Sequence, residues 1–335
     1  MILVTGGTGL VGSHLLYQLS LENDTIRAIC RKNSNLKAVK NVFSYFSEDF
    51  EHLFRKIEWV EADITDVVAL EKAFKNTTEV YHAAALVSFD PKDYNKLRKI
   101  NIEGTANIVN LSIENNIKKL CFVSSIAAVG RSINSQFINE SNEWDIEKSN
   151  YGYAISKYGA EIEIWRASQE GIPVVIVNPG VILGAGFWNT GSGNLFSKIY
   201  KGFKFYSEGI TGYVSVNDVV KAMILLMKSK VENERFILVS ENISYREIFN
   251  AIALKFKKKK PTIKVTKLMS EIGWRLETIK SFLINKPPLL TKHSSKSIHQ
   301  KRYFSSEKIK KTLDFKFEPI SKSIDNICKL FLKDI

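Results

Sequence analysis

The chain has 335 residues, and at roughly 100–200 residues per domain this length predicts about two domains. Hydrophobic residues make up 44% and charged residues 25% of the sequence, which excludes disordered, collagen-like and coiled-coil chains. The net charge of +13 lies in the C-terminal quarter, because residues 251–335 carry 21 Lys and Arg against 7 Asp and Glu, whereas residues 1–250 carry 27 against 28.

Short apolar runs alternate with helical segments over the first 180 residues. The runs are rich in Val and Ile and bounded by polar residues or Gly, as buried strands are: Ile2–Thr5, Ile26–Cys30, Ile57–Val60, Val80–His82, Leu120–Ser124 and Val174–Asn178. Helices are predicted between them at Gly12–Leu21, Asp66–Phe74, Lys92–Asn115 and Tyr151–Gln169. This alternation predicts a parallel sheet covered on both faces, and right-handed crossovers make a doubly wound Rossmann sheet the expected fold.

The pattern loosens after residue 180. Residues 184–212 are rich in Gly and aromatic side chains and are predicted to form a loop with short elements. Two strands with a helix between them follow, at Tyr213–Val216, Asp218–Lys228 and Phe236–Val239.

We therefore predict an α/β protein with two parts. Residues 1–182 and 213–240 would form the Rossmann domain. Residues 183–212 and 241–335 would form a smaller, mostly helical C-terminal lobe that binds the substrate.

A glycine-rich turn links the first strand to the first helix. In Thr5-Gly6-Gly7-Thr8-Gly9-Leu10-Val11-Gly12 the glycines have TGxxGxxG spacing. Such a turn brings the backbone close to a pyrophosphate that faces the N–H groups of the helix, and a Cβ would block that approach. Because the strand–turn–helix context is present, we predict a dinucleotide site rather than a merely structural turn.

The residues after the second strand indicate which dinucleotide binds. Enzymes that use NAD place an acid about 20 residues after the turn on the ribose 2′-OH, whereas this chain has Cys30-Arg31-Lys32-Asn33-Ser34. Arg31 and Lys32 suit a 2′-phosphate, so NADP(H) is favoured over NAD(H), the alternative being an ordinary exposed basic pair. Asp63-Ile64 is predicted to lie near the adenine, although Asp63 could equally cap a helix.

Tyr153 and Lys157 are spaced to lie on one face of a helix, one turn apart. A free Tyr has a pKa near 10, and a neighbouring ammonium lowers it. Such a Tyr can donate a proton to a carbonyl oxygen or accept one from an alcohol. Ser125, at the end of the fifth strand, is placed to hold the substrate oxygen. A YxxxK pair alone is a weak signal, and Tyr151 has no Lys at the corresponding spacing.

Together these motifs resemble the extended short-chain dehydrogenase/reductases. The motifs follow that family's order and spacing over essentially the whole chain: TGGTGLVG, Asp63-Ile64, His82-Ala83-Ala84-Ala85, Asn101-Ile102-Glu103-Gly104-Thr105, Ser124-Ser125, Tyr153 with Lys157, and Asn178-Pro179-Gly180. The resemblance implies that Tyr153 is the catalytic acid/base, that Lys157 lowers its pKa and holds the nicotinamide ribose, and that Ser125 orients the substrate oxygen.

The resemblance also assigns supporting residues. Asn101 would tie its helix to the active-site strands, and Asn178-Pro179 would help to seat the nicotinamide. The full set of implied cofactor-binding residues is Gly6, Gly9, Leu10, Val11, Gly12, Arg31, Lys32, Asp63, Ile64, Ala83, Ala84, Tyr153, Lys157, Asn178, Pro179 and Val181.

Within the family, the chain is most similar to the dihydroflavonol-reductase-like and 3β-hydroxysteroid-dehydrogenase-like branch. Arg31 matches the NADP-using reductases, and Pro287-Pro288-Leu289-Leu290-Thr291 with Tyr303-Phe304-Ser305-Ser306-Glu307-Lys308 resembles the C-terminal end of that branch. This similarity implies an NADP(H)-dependent oxidoreductase that reduces a ketone or aldehyde, or oxidises a secondary alcohol.

Two alternatives stay open. A nucleotide-sugar 4-epimerase with tightly bound NAD is the first, but the Arg that clamps the diphosphate in such members is Thr211 here. Their usual Asp-Asp is Asn217-Asp218, and Ser125-Ile126-Ala127 stands where the sugar dehydratases have Thr-Asp-Glu. The second is a non-catalytic NADP-binding regulator, which the complete Ser–Tyr–Lys set disfavours.

Apolar and aromatic residues in the loops suit an apolar or cyclic small-molecule substrate. The candidate substrate contacts are Val87, Ser125, Phe187 and Trp188. Further residues of this kind are Leu86, Phe89, Phe196 and Tyr206, and each aromatic side chain is as readily explained as core of the small lobe.

The family resemblance implies a homodimer paired through the helices Lys92–Asn115 and Tyr151–Gln169. No nucleic-acid recognition motif accompanies the basic quarter, so nucleic acid is not an expected partner. An anionic substrate or membrane contact remains open, as do simply solvated lysines. The segment Leu268–Leu290 suits peripheral membrane contact, because cations accompany Trp274, Leu276, Ile279, Phe282 and Leu283.

The chain is expected to be cytoplasmic. No stretch approaches the roughly 20 apolar residues of a membrane span, and only Ile2–Val4 follow Met1 before Gly-rich sequence, so no signal peptide is predicted. Cys30, Cys121 and Cys328 are far apart and odd in number, which predicts neither a disulfide framework nor a metal site.

Overall fold

The computed structural model describes residues 1–130, 137–145, 151–284, 288 and 290–335. Pro287 and Leu289 of the C-terminal resemblance lie outside these residues, as do the side chains of Phe282 and Leu283. The strands are β1 (Ile2–Thr5), β2 (Ile26–Cys30), β3 (Ile57–Glu61), β4 (Glu79–His82), β5 (Lys119–Val123), β6 (Phe137–Ile138), β7 (Val174–Pro179), β8 (Val181–Leu183), β9 (Phe205–Tyr206), β10 (Ile210–Ser215), β11 (Glu234–Leu238), β12 (Glu241–Ser244), β13 (Ile263–Lys264) and β14 (Tyr303–Phe304).

The α-helices lie between these strands and after them. They are α1 (Leu10–Ser20), α2 (Leu36–Ser44), α3 (Phe50–Arg55), α4 (Val67–Phe74), α5 (Tyr94–Leu97), α6 (Gly104–Glu114), α7 (Gly152–Gln169), α8 (Gly193–Tyr200), α9 (Val216–Lys228), α10 (Tyr245–Lys255), α11 (Lys267–Ile284), α12 (Lys292–Ser297), α13 (Glu307–Leu313) and α14 (Ile320–Lys333). Short 3₁₀ turns occupy Pro91–Asp93 and Ile126–Ala128, and a π-helical segment occupies Arg98–Glu103.

Seven parallel strands form the central sheet, in the order β11-β7-β5-β4-β1-β2-β3. The chain builds outward from β1 to β3 and then crosses to β4 to build the other half. This reversal beside β1 leaves a crevice at the carboxyl ends of β1 and β4, which is where such sheets bind ligands. The predicted doubly wound Rossmann sheet is confirmed.

Neighbouring residues of each strand supply the core on opposite faces of this sheet. Val4 belongs to one apolar cluster with Leu16 of α1 and Met223 of α9. Leu3 belongs to the other cluster with Leu70 of α4. Because side chains alternate along a strand, helices on both faces bury the inner strands of the sheet, and strands such as β7 therefore have continuous apolar sequences.

The predicted helix Lys92–Asn115 is interrupted. The π-helical segment Arg98–Glu103 separates α5 from α6, and Asn101 lies buried within it. The side chain of Asn101 bonds both backbone groups of Leu86, with its Oδ1 accepting from the Leu86 N–H at 2.7 Å and its Nδ2 donating to the Leu86 carbonyl at 3.0 Å. These contacts hold the irregular turn against the loop after β4.

A smaller sheet and several helices build the C-terminal lobe. β10 lies between β8 and β12 in this sheet, so the predicted strand at Tyr213–Val216 begins earlier and lies outside the central sheet. Its core joins Phe196 of α8, Ile252 of α10 and Ile324 of α14. Over the described part of the chain, no helix has the length and apolarity needed to cross a membrane.

Candidate active site

The glycine-rich turn after β1 is packed tightly against its surroundings. Gly6 has φ +69°, and a Cβ there would lie 2.6 Å from the backbone carbon of Ala83. A Cβ on Gly12 would lie 2.1 Å from the Gly6 carbonyl oxygen. Gly9 precedes α1 and brings no side chain to cap it. The turn therefore leaves a helix N-terminus uncovered by side chains, which is the geometry that holds a pyrophosphate.

Buried His82 links this turn to the interior of the site. Its Nδ1 lies 2.6 Å from the Thr5 hydroxyl, and its Nε2 lies 2.9 Å from the Thr105 hydroxyl. The Thr105 hydroxyl donates to the carbonyl of Asn101 at 2.6 Å, so it accepts from Nε2–H. Burial lowers the pKa of His82 to about 3, and the nearby Lys157 adds to the effect.

Tyr153 and Ser125 meet at the carboxyl end of the sheet. Tyr153 is in the first turn of α7, and Ser125 follows β5. Burial raises the pKa of Tyr153 to about 12, whereas a hydrogen bond with Ser125 favours the phenolate. The sequence predicts that Lys157 lowers this pKa, but in the structure the lowering effect comes from Ser125. Tyr153 is consequently a protonated phenol at neutral pH, the form that donates a proton.

Lys157 lies one turn further along α7 and is almost wholly buried. Its Nζ donates to the Val123 carbonyl at 2.7 Å and lies 4.4 Å from the centroid of the Phe122 ring. Burial lowers the pKa of Lys157 to about 7, against the opposing effect of Glu161. A small change in its surroundings therefore changes its charge at physiological pH.

A second polar layer lies behind Lys157. Glu161 is buried, and its Oε1 accepts from Asn178 Nδ2 at 2.5 Å while its Oε2 lies 3.5 Å from Arg235. Burial raises the pKa of Glu161, and hydrogen bonds to its carboxylate, together with the positive charge of Arg235, oppose that rise. Arg235 also donates to the Glu140 carbonyl at 2.6 and 3.0 Å. Sequence reasoning missed both Glu161 and Arg235.

Asn101 connects the π-helical segment to α7. Its Nδ2 donates to the Ser156 hydroxyl at 2.9 Å, and that hydroxyl donates to the Tyr153 carbonyl at 2.8 Å. The supporting role expected for Asn101 thus has a definite geometry: it fixes α7 to the loop after β4.

The predicted nicotinamide and adenine ends of the site fit a dinucleotide. Asn178 Nδ2 donates to the Ser125 carbonyl at 3.0 Å, whereas its buried Oδ1 has no hydrogen-bond partner among the described residues. Arg31 and Lys32 are exposed at the end of β2. The glycine turn and the exposed cations suit the phosphates of a dinucleotide, whereas the open buried acceptor suits an N–H or O–H donor of such a ligand.

The alternative role considered for Asp63, as a helix cap, is wrong. Asp63 Oδ1 accepts from the backbone N–H and the hydroxyl of Thr65 at 2.9 and 2.7 Å, which closes a local turn. The cap of α4 is Asp66, whose side chain accepts from Ala69 N–H. Asp63 and the buried Ile64 therefore both belong to the loop between β3 and α4.

The remaining predicted cofactor residues surround the same crevice. Ala84 N–H donates to the Thr5 hydroxyl at 3.2 Å, and Ala83 lies against Gly6. Leu10 begins α1, and Val11 packs on the adjoining apolar cluster. Pro179 ends β7, and Val181 of β8 pairs with Tyr213 of β10.

Aromatic rings line one side of Tyr153. The Phe89 ring lies 5.9 Å from the Tyr153 ring and 5.8 Å from the Tyr151 ring, and it is 47% exposed. His293 of α12 stacks on Tyr151 at 3.6 Å between centroids. Sequence reasoning missed His293, because only the fold brings the C-terminal lobe over the start of α7.

The three other candidate substrate residues have different surroundings. Val87 is 59% exposed in the loop after β4. Trp188 packs against Phe331 at 5.0 Å and donates from its indole N–H to Asp334 at 2.6 Å, so it belongs to the core of the small lobe. Phe187 is half-buried beside it. Within the described ranges, no cluster of three His, Cys, Asp or Glu side chains could hold a metal ion.

Known proteins resemble this chain in sequence. The model of the NAD dependent epimerase/dehydratase family matches residues 2–239. A putative dihydroflavonol 4-reductase of Synechocystis sp. is 30% identical over 253 residues, which cover 73% of this chain and 69% of the relative. A UDP-glucose 4-epimerase of Vibrio cholerae is 27% identical over 266 residues, which cover 76% of this chain and 75% of the relative.

A solved structure also shares the fold. The crystal structure of gox2253 superposes with a TM-score of 0.81 at 24% identity, covering 100% of this chain and 98% of that one. The similarity thus extends through the C-terminal lobe, beyond the segment that the family model matches.

Proposed function

Because this chain belongs to the NAD dependent epimerase/dehydratase family, we propose that it is an NADP(H)-dependent oxidoreductase that interconverts a ketone or aldehyde and its alcohol. The observation that carries the proposal is the hydrogen bond between Ser125 and the half-buried, protonated Tyr153 at the carboxyl end of the sheet.

In the direction of reduction, Tyr153 acts as the general acid. Its phenol donates the proton to the substrate oxygen, and the Ser125 hydroxyl holds that oxygen in place. The nicotinamide, when bound, supplies the hydride that reaches the carbonyl carbon. A pKa of about 12 keeps Tyr153 in its donor form across the physiological range.

Lys157 would hold the nicotinamide ribose when the cofactor is bound, since in the structure the effect that favours the Tyr153 phenolate comes from Ser125. Its ammonium is held by the Val123 carbonyl, and the buried surroundings strengthen its field. Since its pKa is about 7, the lysine carries this charge for a substantial part of the time at neutral pH. Binding of an anionic cofactor would favour the charged form further.

The basic pair after β2 supports NADP(H) rather than NAD(H). Arg31 and Lys32 are exposed, and the Arg31 backbone N–H donates to the Ser34 hydroxyl at 2.9 Å, which shapes the loop. An Arg guanidinium recognises a phosphate with two parallel hydrogen bonds. A ribose 2′-phosphate placed at the end of β2 would meet both cations.

The aromatic wall supports an apolar or ring-bearing substrate. Phe89, Tyr151 and His293 lie on the side of Tyr153 that faces the C-terminal lobe. Flat side chains of this kind favour flat or cyclic ligands by stacking. The relative that is named a putative dihydroflavonol 4-reductase agrees with this substrate class.

A nucleotide-sugar 4-epimerase is the second candidate, and the 27% identical UDP-glucose 4-epimerase favours it. Against it, Thr211 lies on β10 where that class has the arginine that clamps the diphosphate. Thr offers one hydroxyl and no charge, so it cannot replace a bidentate cation.

The test measures NADPH oxidation by the purified protein with a panel of cyclic ketones. Tyr153→Phe is expected to reduce turnover at least a hundredfold and to leave the Kd for NADPH within about twofold, as removal of a general acid does. Tyr158→Phe is the matched control, because Tyr158 is on the same helix and its ring stacks on Trp144 at 4.5 Å. Undiminished turnover by Tyr153→Phe overturns the proposal, and turnover of UDP-sugars without added cofactor favours the epimerase.

A further inference from the structure

Helix α11 exposes its apolar face to solvent. Leu268, Ile272, Leu276 and Ile279 are 70%, 51%, 61% and 59% exposed. Their spacing places them on one side of the helix, and Met269, which is 42% exposed, widens the same stripe. A helix that packs on a globular protein normally buries such a stripe.

The opposite side of α11 contacts the protein, and its two most buried described residues are serines, with Trp274 half-buried on the same side. Ser270 and Ser281 are 2% and 6% exposed. The Ser270 hydroxyl lies 2.9 Å from Nε2 of His299, which anchors the helix to the segment after α12. The helix is thus oriented with its hydrophobic side outward, so the exposed stripe is not explained by folding of this chain alone.

The segment around α11 is strongly basic. Residues 255–302 contain 14 Lys and Arg against two Glu. Both acids are already paired within the helix, Glu271 with Arg275 at 2.7 Å and Glu277 with Lys280 at 3.3 Å. Lys259, Lys260 and Lys267 are exposed next to the apolar stripe in sequence.

From these observations we propose that α11 docks on an anionic membrane surface. The helix lies in the plane of the interface, with the stripe defined by Leu268, Met269, Ile272, Leu276 and Ile279 inserted among the acyl chains and the surrounding lysines at the phosphates. Charged residues lie along the length of the helix, so it suits the surface of a bilayer and does not suit its hydrocarbon core.

The positive charge of the segment favours an anionic membrane over a second copy of the chain as the partner of α11. A second copy of the chain placed on the same stripe would bring two equally basic surfaces together, and that juxtaposition is repulsive. A bilayer with acidic headgroups combines an apolar interior with a negative surface, so it can bury the stripe and pair with the cations at the same time. This inference does not depend on the reaction proposed above.

The experiment is co-sedimentation of the full chain with vesicles of phosphatidylcholine alone or mixed with phosphatidylglycerol. The wild-type protein is expected to pellet at least tenfold more with the anionic vesicles, and added salt is expected to weaken that binding. Ile272→Glu/Leu276→Glu is expected to lose at least tenfold of the binding, because it places two charges in the stripe. Circular dichroism checks that this variant is folded.

The matched control is Val67→Glu/Val68→Glu on α4. Both valines are exposed, at 43% and 68%, so this variant makes the same chemical change far from α11 in sequence. Its binding is expected to stay within twofold of the wild type. The proposal is overturned if the wild type stays in the supernatant at low salt, if it binds neutral vesicles equally, or if the α11 variant binds like the control. It is also overturned if the α11 variant dissociates a dimer in solution, since a second copy would then cover the stripe.

Discussion

Arg235 on β11 lies 3.5 Å from Glu161 on α7, and this ion pair joins the central sheet to the helix that carries Tyr153 and Lys157. Glu161 is 1% exposed at its side chain, and it shares α7 with Lys157 one turn before it. Asn178 completes the arrangement by donating to both Glu161 and the Ser125 carbonyl. The buried carboxylate of Glu161 therefore links α7, which carries Tyr153 and Lys157, to the ends of β5 and β7.

Arg235→Met is expected to lower the free energy of unfolding by about 3 kcal/mol, because it leaves a carboxylate buried without its cation. Glu161→Gln/Arg235→Met is expected to recover part of this loss. Arg246→Met is the control, since its ion pair with Glu208 is exposed and contributes about 1 kcal/mol or less. Urea unfolding at neutral pH measures all three, and equal losses for Arg235→Met and Arg246→Met would contradict the prediction.

Much of the central fold could be predicted because doubly buried strands have distinctive sequences. Strands such as Val174–Pro179 are buried on both faces, so the sequence there is continuously apolar and its position was evident. Helix α2 was not predicted, although Val39, Val42 and Phe43 have helical spacing and are buried. That signal was present in the sequence and was overlooked.

The site was predictable only where its residues are close together in sequence. Tyr153 and Lys157 share one helix, and the glycine turn is continuous, so local spacing identified both. The contact of Arg235 with Glu161, and the stacking of His293 on Tyr151, join segments that are distant along the chain. No local pattern encodes such pairs, because the strand order and the placement of the lobe decide them.

Gly12→Ala is expected to weaken cofactor binding at least tenfold. The added Cβ would lie 2.1 Å from the Gly6 carbonyl oxygen, so α1 must move away from the turn that is proposed to hold the pyrophosphate. Gly191→Ala is the control: Gly191 has φ +51° with no neighbouring atom within 4 Å of a Cβ, so only about 1 kcal/mol of backbone strain is expected. Fluorescence titration with NADPH measures the Kd of both variants. A similar Kd for the two would contradict the proposal that the glycine turn holds the pyrophosphate.

Arg31→Ala is expected to weaken NADPH binding about tenfold or more and to change NADH binding less than twofold. The reason is that the guanidinium would pair with the 2′-phosphate, which NADH lacks. Lys118→Ala is the control, because Lys118 is an exposed cation that precedes the amino end of β5, whereas Arg31 follows the carboxyl end of β2. If Arg31→Ala weakened the binding of both dinucleotides equally, Arg31 would not be the residue that distinguishes them.

Acid is expected to destabilise the protein through its buried histidines. His14 is buried on α1, its Nε2 lies 3.2 Å from the Ala185 carbonyl, and burial lowers its pKa to about 4 from 6.5. Between these two values the unfolded chain binds a proton that the native state does not, so stability is fully present above pH 6.5 and falls as the pH drops toward 4. Each such histidine contributes a slope of about 1.4 kcal/mol per pH unit.

His14→Gln is therefore expected to lose less stability than the wild type between pH 6 and 4.5, a range inside that interval. His52→Gln, at an exposed position, is expected to keep the wild-type slope. Urea unfolding across this range measures the three slopes, and parallel lines for His14→Gln and the wild type would show that His14 takes up its proton without cost in the folded state.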